Sequence, residues 1–147
     1  MKSLLDPADR QEVVSRINAL TSDHKPQWGT MHAGQMLAHC QKPMELALSN
    51  PKSPRVFLGR IMGPLLKKGV FGPKPFEKGS YTPPEFRVSD KEEFKSNKDK
   101  LLALIERFPK EMPHVGLVHP FFGPLTIEQW SEGQYKHLDH HLTQFGV

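Results

Sequence analysis

Seven of the chain's fourteen prolines fall between Ser49 and Arg87, with five glycines among them. Proline removes a backbone donor and disrupts helix interiors, and glycine raises the entropic cost of any regular element. This stretch therefore cannot supply the main framework, which has to come from the two flanks. A connection of such length inside a compact domain is either functional or a packed lid. One short helix is predicted in it, at about Val56 to Lys68, from Val56, Phe57, Leu58, Ile61, Met62, Leu65 and Leu66, with a bend at Gly63-Pro64.

Both flanks read as helical. Asp6-Pro7 is a strong start, because Asp caps free amides and proline at the first helical position wastes no donor. Val13, Val14, Ile17 and Leu20 recur at helical spacing and predict a helix over 7–20. Thr30 is the predicted N-cap of a second helix running to about Leu48, which Pro43 should bend or interrupt one turn beyond His39. Ser89 and Glu92 read as a capping box for a helix from Asp90 to Phe108, ended by Pro109 and Pro113. Thr126 and Gln129 form a second such box, opening a last helix to about Gln144. Four main helices and one long crossover between the second and third predict an all-α four-helix bundle, with no convincing β alternation.

At 147 residues the chain fits a single domain, 1–147, and is long enough to bury about two-thirds of its unfolded surface. Twenty basic residues against sixteen acidic ones give a net charge of +4, without the clustered cations that phosphate binding needs. Nucleic acid is therefore not an expected partner. Cys40 is the lone cysteine, so no internal disulfide forms. No signal-peptide stretch and no run of about 18 apolar residues appears, which predicts a cytoplasmic protein without a membrane span.

Eight histidines in a chain of this length need an explanation. On the last helix Trp130, Gln134, His137, His141 and Gln144 fall at steps of four, three, four and three, one stripe along one face. A histidine pair at i and i+4 aims two imidazoles at one point. An open zinc-type site takes three protein ligands at about 2.0–2.1 Å. His39 lies in an otherwise apolar run, Met36-Leu37-Ala38, and should point inward, where an imidazole without a partner is costly. It is the natural third ligand, with Gln35 and His32 on the same helical face. A hydrogen-bonded core histidine is the plainer reading of His39 taken alone. His140 also lies within reach of His137, so spacing leaves His137/His140 and His137/His141 as competing pairs. His114 and His119 read as polar loop residues.

The segment Lys136-His137-Leu138-Asp139-His140-His141-Leu142-Thr143-Gln144 resembles the last-helix signature of the DinB/YfiT-like superfamily. The stretch His119-Pro120-Phe121-Phe122-Gly123-Pro124-Leu125-Thr126, followed by Trp130, resembles a bacterial branch of that superfamily with no assigned activity. The Met36-Leu37-Ala38-His39 segment is similar to its other ligand position. The resemblance covers most of the chain and is poorest in the crossover. It implies an up-down-down-up bundle and a divalent metal on His39, His137 and His141, with His141 rather than His140 as the second ligand of the pair. It further implies a metal-dependent hydrolase or a transferase of low-molecular-weight thiols.

Zinc or nickel suits three imidazoles best, with manganese or iron as alternatives. Gln35, Trp130, Gln134, His140 and Gln144 are the expected surroundings of the ligands, as orienting groups or pocket wall. Asp139 and Glu132 read as surface ion-pairing residues, and Cys40, about 100° around the helix from His39, as a buried inert thiol. The expected partner is a small molecule, a low-molecular-weight thiol among others, and a homodimer is compatible with the sequence. Two rival classes stay open. One is a non-catalytic, metal-dependent ligand-binding or stress protein. The other is a surface-associating protein, because Lys52, Arg55, Arg60, Lys67, Lys68, Lys74 and Lys78 sit near apolar residues with Glu77 opposing them.

Overall fold

The computed structural model describes residues 1–49, 56–79, 87–89, 93–112 and 118–147. Five helices and a two-residue ribbon succeed one another: α1 (Pro7–Ala19), α2 (Ala33–Leu48), α3 (Phe57–Val70), α4 (Phe94–Glu111), β1 (Val118–His119), β2 (Gly123–Pro124) and α5 (Ile127–Gln144). The described structure is mostly helical. Helix α2 packs along α4, α1 lies against both α4 and α5, and α5 returns against α2. The core between them holds Leu4, Ile17, Met36, Leu37, Met44, Leu101, Ile105, Phe108, Leu138 and Leu142, each at most 1% exposed. One buried polar pair crosses it, where the Gln41 amide donates to Asn97 Oδ1 at 2.9 Å.

Local chemistry sets the helix ends. Asp6 caps α1 by accepting from the Ala8 and Asp9 amides at 2.8 and 3.1 Å. In α5, Thr126 Oγ1 accepts from the Gln129 amide and Gln129 Oε1 from the Thr126 amide, both at 3.1 Å. The cap of α2 is His32 and not Thr30. Its Nδ1 accepts from the Gln35 amide at 3.2 Å, and Gln35 Oε1 accepts from the His32 amide at 2.9 Å. An imidazole nitrogen here does the work of a serine or aspartate oxygen. In α4 the N-cap is Glu93, without a side-chain capping bond. The Ser89/Glu92 box and the start at Asp90 fall on residues of which Asp90 and Glu92 lie outside those described, as do Pro113 and His114.

None of the three interior prolines, Pro43, Pro64 and Pro109, interrupts its helix. Helix α2 runs on through Pro43 to Leu48. Losing that bond costs about 3 kcal/mol, and burying each large apolar side chain, as at Met44 just beyond it, contributes about 1.5–3 kcal/mol. Helix α4 likewise continues through Pro109 to Glu111, with Phe108 and Met112 fully buried on either side.

The ribbon was not expected from the sequence. His119 pairs with Gly123, whose φ of 76° lies in the left-handed region that glycine adopts freely. His119 Nδ1 accepts from the Phe121 and Phe122 amides at 3.0 and 3.2 Å and so closes the turn between the two strands. Helix α3 is seated on this turn and is continuous through Gly63-Pro64. Among the described residues no helix is long and apolar enough to cross a membrane.

Candidate metal centre

Helix α2 supplies His39 and helix α5 supplies His137 and His141. One ligand atom from each lies within 4.8 Å of the others, and among the described residues this is the cluster with metal-ligating composition. The ring centroids are 5.0 Å apart for His39 and His137, 4.8 Å for His39 and His141, and 4.7 Å for His137 and His141. His39 and His141 are buried and His137 is half-buried.

The donor set is chemically ready for a cation. Burial, reinforced by the neighbouring imidazoles, holds His137 well below the usual histidine range. Burial also lowers His141 to about 3. Both rings are therefore neutral at neutral pH, the ligand form. The tautomer of His141 follows from its partner. Gln144 Nε2 donates to the Trp28 carbonyl at 2.6 Å, which turns Gln144 Oε1 toward His141 Nδ1 at 2.9 Å. Nδ1 must then carry the proton, and Nε2 presents a lone pair.

His39 Nε2 and His137 Nε2 face each other at 3.1 Å. Two tetrahedral zinc ligands at about 2.0–2.1 Å from the ion stand about 3.3 Å apart, so the observed separation is close to what a shared ion requires. His137 Nδ1 is buried with no hydrogen-bond partner. The residues present fit a divalent cation.

The other sequence candidates divide. Gln144 stands directly behind His141. The Gln134 amide donates to the Pro43 carbonyl at 2.9 Å and ties α5 to α2 near the ligands. Gln35 is engaged at the α2 cap. Trp130 is buried two turns before His137, about 10 Å along the axis, and packs on His119 with ring centroids 5.2 Å apart. His140 lies outside the trio. It is half-buried, with its ring centroid 5.1 Å from that of His141, and burial lowers its pKa. Trp28 and Phe76 stand edge-on to it at 5.6 and 5.9 Å. Cys40 is buried, its Sγ 3.7 Å from Met36 Sδ, and burial pushes its thiol far above the ordinary value. Asp139 pairs with Arg16 at 2.6 Å, turned away from the trio, and Glu132 lies 3.7 Å from the N-terminal amine.

Sequence reasoning missed two contributors. Lys136, next to His137, donates to the carbonyls of Gly69, Val70 and Gly72 at 3.3, 2.9 and 3.0 Å and closes the C-terminal end of α3. Its ammonium also sits 4.6 Å from the Phe76 ring centre. Lys78 stands over Trp28 at 4.3 Å. Both depend on contacts between α5, the crossover and the Trp28 loop that no helical period announces.

A family model matches residues 1–146, and the chain belongs to that family, described as a protein of unknown function, DUF1569. No curated protein and no solved structure matches the chain.

Proposed function

We propose that this DUF1569 chain is a divalent-metal enzyme of the DinB/YfiT-like kind. In this reading α1, α2, α4 and α5 form a four-helix bundle, and His39, His137 and His141 hold one zinc or nickel ion between α2 and α5. Its substrate is a small molecule, and the reaction is hydrolysis or transfer of a low-molecular-weight thiol. The resemblance of the last helix to that superfamily supports the class. The observation that carries the metal is the convergence of three imidazoles whose ligand atoms lie within 4.8 Å of one another, two of them held neutral by burial.

A divalent ion held by His39, His137 and His141 would supply Lewis acidity, favouring the anionic form of a water or thiol at neutral pH. The chain's own residues do the rest. Gln144 fixes the His141 ring and its tautomer. Gln134 holds α5 to α2 through the Pro43 carbonyl, which keeps the two ligand-bearing helices in register. His140, Trp28 and Phe76 form a polar and aromatic wall beside the trio, suited to a small substrate with an apolar part.

The test is metal content per chain in untagged wild type and His39→Ala, after matched loading and elemental analysis. Near one equivalent in the wild type, with a large loss in the variant and unchanged helical circular dichroism, supports the site. Absence of metal from the wild type under several loading conditions overturns it. Esters, amides and thiol acceptors are then the substrates to screen. Ligand binding without turnover across that panel would favour the non-catalytic alternative.

A further inference from the structure

Helix α3 is amphipathic the wrong way round for a core element. Phe57, Leu58, Ile61 and Leu65 are 77%, 61%, 62% and 72% exposed, while the residues it turns inward are Gly59 and Gly63. A Cβ on Gly59 would meet the Phe121 Cα and carbonyl oxygen at 2.6 Å, and one on Gly63 would strike the same carbonyl. The helix backbone thus lies directly on the ribbon turn. Its two ends are fastened as well. The Val56 amide donates to the Pro120 carbonyl at 3.1 Å at the start. At the other end Lys136 holds three carbonyls, and the Phe71 ring lies where a Gly133 side chain would be. Every anchor is on the inner side, so the outward apolar face is how α3 is built rather than a loosely placed segment.

We infer that this face is a docking surface for an anionic lipid bilayer, on which α3 lies flat in the interface. An exposed apolar patch of this kind marks an interaction site. Charge selects the partner. Of the five cations in residues 56–79, Lys67 donates inward to the Pro124 carbonyl at 2.7 Å and Lys78 stands over Trp28, which leaves Arg60, Lys68 and Lys74 exposed against the single acid Glu77, and α3 itself has no acidic residue. Large apolar side chains on one face with lysine and arginine at its flanks is the composition of an interfacial helix. Each cation near an anionic surface adds attraction that is lost with rising salt. A second copy of the chain fits less well. Pairing α3 with α3 would bring these cations against their own copies, with no carboxylate in the element to answer them.

Flotation of the full chain with vesicles tests the inference. Vesicles of phosphatidylcholine alone and of phosphatidylcholine with phosphatidylglycerol are compared at low salt and at about 0.15 M salt. The wild type should float with the anionic vesicles, more at low salt, and stay behind with phosphatidylcholine. The double variant Ile61→Gln/Leu65→Gln changes two exposed side chains and should retain circular dichroism. Its partitioning should fall at least about tenfold. No flotation of the wild type at either salt overturns the inference, as does flotation that the variant leaves unchanged. A concentration-dependent dimer, abolished by the variant and unaccompanied by vesicle binding, gives the face to a second copy and overturns it too.

Discussion

Gln144 accepts from His141 Nδ1 at 2.9 Å while donating to the Trp28 carbonyl at 2.6 Å, so a single amide sets an imidazole tautomer and fastens a loop. The Gln27 amide adds a bond to the Gln144 carbonyl at 2.7 Å, and Gly29, with φ of 79°, takes the chain past the Gln144 side chain where a Cβ would stand 2.8 Å from its nitrogen. The loop and the ligand are therefore coupled through one residue. Such partners behind a metal ligand typically contribute 10–100-fold in affinity. Gln144→Ala should weaken metal binding by about that factor, read by competition with a chromophoric chelator. Equal affinity in wild type and variant would mean that Gln144 serves the loop alone.

His140 and His141 are neighbours in sequence with opposite expected effects. A step of one residue turns about 100° around the helix, which puts His141 in the trio and His140 against Trp28 and Phe76. His141→Ala should lose the ion, whereas His140→Ala should retain about one equivalent under the same loading. The measurement is elemental analysis of both variants beside the wild type. Loss of metal from His140→Ala with retention in His141→Ala would reverse the assignment of the pair.

The stripe on α5 and the apolar run before His39 were legible in the sequence because helical periodicity is a local signal. The capping box at Thr126 and the Asp6-Pro7 start were legible for the same reason. The cap of α2 was not, since His32 does with a ring nitrogen what Thr30 was expected to do with a hydroxyl. Pro109 misled in the opposite direction, because the packing of Phe108 and Met112 outweighs a missing donor. Gln35 and Gln134 sit at helical spacing from the ligands yet serve a cap and a carbonyl. Spacing gives the face of a helix but not the rotamer. The outward face of α3 was hidden most completely. Its apolar residues recur as those of a core helix do, and only the close approach of Gly59 and Gly63 to Phe121 shows which side is in.

That approach leads to a test of how α3 is held. A Cβ at position 63 strikes the Phe121 backbone, which cannot move aside as a flexible side chain could. Gly63→Ala gains up to about 1 kcal/mol of helix propensity but costs about 1–3 kcal/mol in overpacking. The net effect falls on the docking of α3, so hydrogen exchange should speed up in residues 57–70 while α2 and α4 keep their protection. At Gly69 an added Cβ meets nothing within 4 Å, and Gly69→Ala should slow exchange in α3 or leave it unchanged. Unaltered protection of α3 in Gly63→Ala would show that the ribbon does not seat the helix.

His119 predicts a pH dependence whose sign follows from burial. Its pKa is lowered from 6.5 to about 4 by desolvation, and its Nδ1 already accepts two amides, so a proton can be added there only by breaking the turn. Between those two values the unfolded chain binds a proton at this residue and the folded chain does not. Stability from His119 is therefore fully present above pH 6.5, declines as pH falls, and is gone below about 4. The shift corresponds to a loss on the order of 3 kcal/mol across that window. Asn at this position keeps an acceptor for the turn amides but does not titrate. Melting temperatures from pH 7 to pH 4 should therefore fall less steeply for His119→Asn than for the wild type, whose other buried histidines supply the slope that remains. Parallel curves for the two proteins would mean that the turn opens and protonates freely, and that His119 does not hold it closed.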